Sequence, residues 1–559
     1  MASDDQLQTG SWVRRVRRRG LLRGGVAAGA VLALAACGSR TKKGSSSAPA
    51  AAPGQPHAGG TLTMGFLNEP YNWDASYAGA GSSVDYHLVY STILGWKHGP
   101  NVPYAELTLQ PELASSWEIP DAQTFVFHVR PGVKWSNVAP VNGRPLVADD
   151  LKFSLEYHSR FGSAFSSLPT GVFAGFLQGL QNVETPDNAT VRVTFKDPFV
   201  PFINYMASPY VPVLAHEVYD QDGHFKDRAV GTGPFLLDAT ASQRGTRWVL
   251  KKNPSYWDTG KPYIDQITQI VFKDDPSAHA AFQAKQVDLL ENGLDLASVN
   301  ALTRAIPTAV KYETLDVRPF HLYMSVKPSS PLADLRLRQA IALSIDRDQF
   351  LKTLFDGKGG WPMAGAFPDT FSQDEIHALL KHDPVQAKQL VQAAGYPNGV
   401  DLDFIYPGNY FGQIYITQMQ LLQAQLKQAG INLRLNTMDY PAYSTLKKQH
   451  NFTITDTPKE VSGDIDSYLY NVFYPSSKED YTEVNDPQLN TLLLAQRQET
   501  DAGKRRETCR QAVQRINVDQ VWALGVYQGL VWNLWQPRVQ NYAPHFGLTL
   551  TMDDLWLKD

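Results

Sequence analysis

The chain has 559 residues, 43% of them hydrophobic and 19% charged, with a formal net charge of −4 at pH 7; that length accommodates several domain-sized units around sizeable cores. Its 41 Gly and 36 Pro fall far below the roughly 25 to 30% of low-complexity chains, and 25 Tyr, 25 Phe and 12 Trp need a packed interior, which excludes a fibrous or disordered protein. Six Arg against two Asp fall in the first 36 residues, so the rest of the chain is more acidic still and has no basic stripe to neutralise phosphates; nucleic acid is excluded as a partner.

The N-terminus reads as an address. Arg14, Arg15, Arg17, Arg18, Arg19 and Arg23 precede an apolar run from Gly24 to Ala36, which at helical rise spans only about 20 Å against the roughly 30 Å of a hydrocarbon core. This predicts an export signal over 1–36 rather than a membrane span. The run ends Leu34-Ala35-Ala36-Cys37-Gly38, which resembles a bacterial lipobox and so predicts a lipid anchor on Cys37. Arg18-Arg19-Gly20-Leu21-Leu22-Arg23 is similar to a twin-arginine motif, with an ordinary basic leader as the alternative. With Cys37 acylated, Cys509 has no partner for an internal disulfide. Residues 37–60 are small, polar and Pro-interrupted, a flexible tether of root-mean-square span about 26 Å.

Beyond Gly60, β-branched and aromatic runs predict strands at Thr61 to Phe66, Thr124 to Arg130, Val191 to Lys196, Arg247 to Lys251 and Ile267 to Lys273. Asp383-Pro384 opens a helix as N-cap and first residue, closed by Gly395 and Pro397. Asp401 to Tyr406, Ile414 to Ala429 and Ile431 to Thr437 read as strand, helix and strand. A crossover of this kind needs parallel strands, and the ligand crevice of such sheets lies outside their carboxyl ends, here near Tyr406, Met438 and Thr455. The fold class is mixed α/β with more than one lobe.

Several segments in order along the chain carry a family resemblance. Leu109-Gln110-Pro111-Glu112-Leu113-Ala114-Ser115-Ser116-Trp117-Glu118, Phe125 to Trp135 (FVFHVRPGVKW), Pro145 to Ser154 (PLVADDLKFS), Val230-Gly231-Thr232-Gly233-Pro234-Phe235, Lys252 to Trp257, and Arg336 to Ile341 with Ile345-Asp346-Arg347 resemble extracytoplasmic solute-binding proteins of family 5, which serve oligopeptide, dipeptide and nickel ABC importers. The resemblance implies a two-lobed periplasmic-binding-protein-like α/β fold: a first lobe over 61–317 with 525–559, and a second over 318–524, with crossings near Val317 to Tyr323 and Leu524 to Leu534. Trp117 and Trp135 read as core anchors, Arg130-Pro131-Gly132 as a turn, and Arg336, Arg338 and Arg347 as helix-surface ion pairs.

Such lobes close on a solute, and the solute shifts that equilibrium only through contacts with both. In the first lobe the loop after the opening strand offers Glu69, Tyr71 and Trp73; in the second, Trp361, Tyr406 to Tyr410 and the loop from Asp456 to Asp466 offer aromatic and acidic groups, with Tyr406, Tyr410, Glu460 and Asp464 the candidates there. Peptide-binding members hold the ligand's α-amino group on an aspartate of the second lobe. Alignment on Gly463-Asp464-Ile465-Asp466 places Val461 at that position with Glu460 just before it, so an amino group needs Glu460 or Asp464 as a substitute partner. The expected ligand is a peptide or peptide-like solute, with oligosaccharides, opine-like conjugates or metal chelates as the alternative.

An exported hydrolase is the rival of another class. The sequence has no G-x-S-x-G elbow, H-E-x-x-H or P-loop, and the pairs Asp149-Asp150 and Asp274-Asp275 read as helix starts or solvated loops. His377 and His382 are not at the i, i+4 spacing of two ligands on one helical face. The expectation is a monomeric, non-catalytic receptor without cofactor or metal, anchored through Cys37 on the extracytoplasmic face of a bacterial membrane and working with the permease subunits of an ABC importer, or presenting its ligand to a sensor.

Overall fold

A computed structural model describes residues 55–66, 72–77, 83–171, 173–290, 294–363, 370–408, 413–456, 463–475, 477, 482–546 and 552–558. Two large sheets organise them. The first is seven-stranded, in the order Val310–Leu315, Leu530–Trp535, Leu289–Leu290, Thr61–Phe66, Gln266–Val271, Arg247–Lys252, Phe235–Leu237. The second is five-stranded, in the order Ile431–Thr437, Val400–Tyr406, Ile454–Asp456, Phe320–Met324, Ala523–Tyr527. A four-stranded antiparallel sheet, Ala114–Asp121, Thr124–Val129, Thr190–Phe195 and Leu180–Asp187, packs with the first.

The strand–helix–strand unit of the second lobe has the expected parallel register, Val400 opposite Ile431 through Tyr406 opposite Thr437, with the helix Gln413–Gln428 as crossover. The helix Pro384–Ala393 starts where its cap residue requires: the Asp383 carboxylate accepts from the Gln386 amide, and Pro at the first turn gives up no helical hydrogen bond. Side-chain alternation then builds two cores on opposite faces of the second sheet. Leu322 and Met324 join Phe404, Met419 and Leu433 on one face, while Tyr323, between them, joins Leu469, Val513 and Ala523 on the other. The first lobe has the largest core, centred on fully buried Trp135, Tyr86, Phe125 and Phe127.

Trp135 is the anchor its sequence context suggests, and Gly132 turns the chain after Arg130-Pro131 at φ +82°. The arginines divide. Arg336 is an exposed partner of Asp334, but Arg338 and Arg347 are only 4% and 1% exposed, so the expected surface ion pairs are corrected for these two. Arg338 donates to the carbonyls of Leu332 and Gln520, each at 2.7 Å, and Arg347 to that of Gly525 at 3.1 Å, tying helix starts to the loop before the last strand of the sheet and to that strand itself. Among the described residues no helix is long and apolar enough to cross a membrane.

Candidate ligand cleft between the lobes

Register decides where the lobes face each other. In the first sheet Thr61–Phe66 runs parallel to Gln266–Val271 and Leu289–Leu290, and antiparallel pairing of Leu290 with Leu534 and of Leu315 with Leu530 brings the end of one crossing strand and the start of the other to the same carboxyl edge. In the second sheet Val400–Tyr406 is parallel to Ile431–Thr437 and Ile454–Asp456, and antiparallel pairing puts Phe320 and Tyr527 at that carboxyl edge. Residues 316–319 and 528–529 therefore join the carboxyl edge of one sheet to the carboxyl edge of the other, and residues 525–527, expected in the first lobe, belong to the second because the strand Ala523–Tyr527 pairs with Phe320–Met324. Open α/β sheets bind ligands outside that edge.

The second lobe lines this edge with rings and buried oxygen groups. Tyr406, Phe320 and Tyr527 end or begin their strands there, and the helix Gln413–Gln428 adds Tyr415, 6.0 Å from Tyr406 and 6.5 Å from Phe320 between ring centres. The Tyr443 hydroxyl donates to the Asp456 backbone carbonyl, and that of Tyr527 to Gln418 Oε1. Asp456 itself is fully buried, and burial raises its carboxyl to about 7 against the opposing pull of a hydrogen bond from Tyr415 and of the Lys447 charge. Its side chain therefore changes charge near neutral pH, with an aromatic shell around it. His321, buried one residue into its strand, is driven the other way by desolvation, down to about 4, and stays neutral.

A second meeting of the lobes lies at residues 463–466. Gly463 has φ +85°, and a Cβ there would stand 2.6 Å from Trp96 Cζ2 of the first lobe, so only glycine allows this approach. Asn204 Nδ2 donates to Asp464 Oδ2 at 2.7 Å and the Tyr205 hydroxyl to Asp466 Oδ2 at 3.1 Å, both from the first lobe. Each acid is already neutralised inside its own lobe: Arg505 grips Asp464 at 2.6 and 3.0 Å, and Arg497 grips Asp466 at 2.8 and 2.7 Å. Arg497 also lies over the rings of Tyr470 and Phe199, at 3.3 and 4.4 Å from their centres.

The expected site residues are dispersed by this geometry. Asp464 Oδ1 also accepts from the Asp466 amide at 2.8 Å, so both its oxygens are engaged, and its part is structural rather than that of an ammonium acceptor. Trp73 is 3% exposed and packs edge-on to Trp248 at 5.9 Å in the first-lobe core. Trp361 is half-buried beside the crossing, its indole donating to Asp348 at 2.8 Å and its ring 4.2 Å from that of His377. Tyr406 stands at the carboxyl edge. Cys37, Glu69, Tyr71, Tyr410, Glu460 and Val461 lie outside the described residues. Tyr415, Tyr443, Tyr527 and Gln418 carried no local signal in the sequence; a helical-wheel projection of Gln413–Gln428 onto the predicted strand end is what would have brought Tyr415 to the edge.

Two sheets joined edge to edge by two short crossings, with polar and aromatic groups at the junction, define a two-lobed α/β binding protein. The chain belongs to the bacterial extracellular solute-binding proteins, family 5, whose family model matches residues 108–480. It is similar to the heme-binding protein A of Haemophilus influenzae, 24% identical over 541 residues that cover 92% of this chain and 95% of the relative. It is also similar to the dipeptide-binding protein of Escherichia coli, 24% identical over 455 residues, covering 78% and 83%. The structure of the oligopeptide-binding protein AppA of Bacillus subtilis, in complex with a nonapeptide, superposes with a TM-score of 0.76 at 18% identity, covering 90% of this chain and 100% of that one. Family and fold are those of extracytoplasmic solute-binding proteins, which are not enzymes.

Proposed function

We propose that this protein is a lipid-anchored receptor, held by Cys37 on the extracytoplasmic face of the membrane, that closes on a peptide-like small solute and hands it to the permease of an ABC importer. The observation that carries the reading is the edge-to-edge junction of the two sheets: a solute there touches both lobes, as a ligand must if it is to drive closure. Relatives named for heme and for dipeptides show that family membership alone does not select a ligand.

Specificity follows from which carboxylates stand at the carboxyl edge. Arg505 holds Asp464, and on the family alignment Val461 stands at the position of the amino-group aspartate, so a terminal ammonium is left with Glu460 or with an acid elsewhere at the edge. Asp456, buried among Tyr415, Tyr443 and Tyr527, supplies an acid at the carboxyl edge that accepts from an amine or, protonated, donates to a carbonyl. Such an edge favours a solute bearing a ring or hydroxyl groups besides its amine over an ordinary free peptide.

Native mass spectrometry of the gently purified protein, with release and identification of any co-purified molecule, tests this. An amine-bearing, ring-containing solute whose retention is lost in Asp456→Asn supports the assignment. A protein that arrives empty and shows no compaction in small-angle scattering with a panel of peptides and peptide conjugates overturns it.

A further inference from the structure

The C-terminal segment is fastened to the first lobe by a cluster of metal-ligating side chains. His98 follows the strand Leu94–Trp96, and Asp553 and Asp554 sit just before the strand Trp556–Leu557, which pairs with Val539–Gln540. His98 Nε2 lies 3.8 Å from Asp553 Oδ1 and 4.0 Å from Asp554 Oδ2, and the three atoms are all within 4.8 Å of one another.

The ring's tautomer is set from behind. His98 Nδ1 is 3.0 Å from the Trp96 carbonyl, which only accepts, so in the neutral ring the proton is on Nδ1 and the Nε2 lone pair points at the two acids. Gln110 Nε2, 3.4 Å from Nδ1, is itself a donor and makes no bond to the protonated nitrogen, so the closer Trp96 carbonyl sets the tautomer. A carbonyl behind the imidazole is the arrangement that orients metal-bound histidines. Two further imidazoles whose charge would act on this cluster, His87 and His545, are kept neutral by burial, at about 3 and about 4.

Lys261 takes part of the negative charge but not the inward-facing oxygens. Its Nζ is 2.7 Å from Asp554 Oδ1, 3.7 Å from Asp553 Oδ2 and 3.1 Å from Asp258 Oδ2. One ammonium faces three carboxylates, and Asp553 Oδ1, in a residue only 7% exposed, is buried with no hydrogen-bond partner. An ionised oxygen in that condition costs several kcal/mol unless a cation meets it.

We infer that His98, Asp553 and Asp554 bind a divalent first-row cation that pins the C-terminal segment to the first lobe. One imidazole nitrogen and two carboxylate oxygens suit Zn²⁺, Mn²⁺ or Co²⁺. Ligand bonds of about 2.0 to 2.2 Å put tetrahedral donors about 3.4 Å apart, so the imidazole–carboxylate spacings of 3.8 and 4.0 Å must shorten by roughly half an ångström as the side chains close on the ion. Side-chain exposures of 16%, 10% and 29% for His98, Asp553 and Asp554 leave a face on which water completes the shell.

Zn²⁺ and Mn²⁺ titrations of the EDTA-stripped, dialysed full chain by calorimetry test this, with amide exchange of residues 552–558 as a second readout. The expected result is one equivalent bound, slower exchange in that segment, and affinity lost at least about tenfold in both His98→Gln and Asp553→Asn. Lys261→Gln should bind the cation more tightly, because it removes a competing positive charge; a site that is only an ion-pair cluster would show no such gain. Equal binding by the wild type and both ligand variants, or no saturable binding by a wild type that is folded by circular dichroism, overturns the proposal.

Discussion

Removing the two first-lobe donors at residues 463–466 should open the protein without unfolding it. Asn204→Ala deletes the 2.7 Å bond to Asp464, and Tyr205→Phe deletes the 3.1 Å bond to Asp466 while keeping the ring stacked on Phe176 at 4.2 Å and 2°. Hydrogen bonds to charged groups contribute about 1.5 to 3 kcal/mol each; allowing for the water each partner regains on opening, the pair is worth about 3 kcal/mol. Because about 1.4 kcal/mol is a factor of ten, the closed fraction relative to the open one falls about a hundredfold, and the apparent affinity for a solute that needs closure falls with it. Both acids keep their arginines, so no buried charge is stranded. Asp464→Ala differs in kind: it leaves Arg505, whose side chain is 9% exposed, without its carboxylate, and should lower global stability by about 3 to 5 kcal/mol. Small-angle scattering and amide exchange of residues 463–473 read opening, and urea denaturation reads stability. A double variant with wild-type scattering and exchange would refute the reasoning.

Asp456 makes stability depend on pH. Its folded carboxyl, raised by burial to about 7, lies above the unfolded value near 3.9, so its contribution is intact below about pH 4, is lost as pH rises through the folded value, and is level above it. Asp456→Asn should therefore gain on the wild type by on the order of 1 kcal/mol per pH unit between about 4 and 7; parallel urea midpoints at pH 5 and 8 would contradict this. At Gly525 an added Cβ would lie 2.6 Å from the Pro362 carbonyl oxygen, and Gly525→Ala should cost about 1 to 3 kcal/mol by calorimetry. Cys37→Ser should abolish incorporation of labelled fatty acid and release the protein from the membrane fraction; retained label would place the anchor elsewhere.

Local chemistry made much of the fold legible. The strand Thr61–Phe66, the helix capped by Asp383 and the parallel unit from Val400 to Thr437 are written in short windows, as propensity, cap and turn. The partners of buried charges are not. Nothing near Asp464 announces that Arg505 will neutralise it, because the pairing is created when the helices Asp466–Phe473 and Ala502–Gln514 pack together. Arg347 shows the same limit: at the start of a helix it has the pattern of a surface residue, and only the strand Ala523–Tyr527 arriving from far along the chain encloses it. Donors for the cation cluster are separated by most of the sequence, so no motif spacing records them.

The strand Leu530–Trp535 lies inside the first sheet, bonded on one side to Val310–Leu315 and on the other to Leu289–Leu290. That placement sets an order of assembly during synthesis and export. The second lobe, from Phe320 to Tyr527, has all its strands once residue 527 has emerged, whereas the first lobe, begun earliest, still lacks an interior strand. The inserted lobe can therefore settle first, and the N-terminal lobe stays exposed to aggregation and to chaperones until the strand Leu530–Trp535 arrives. A chain truncated shortly before Leu530 would lose the older lobe and keep the younger one.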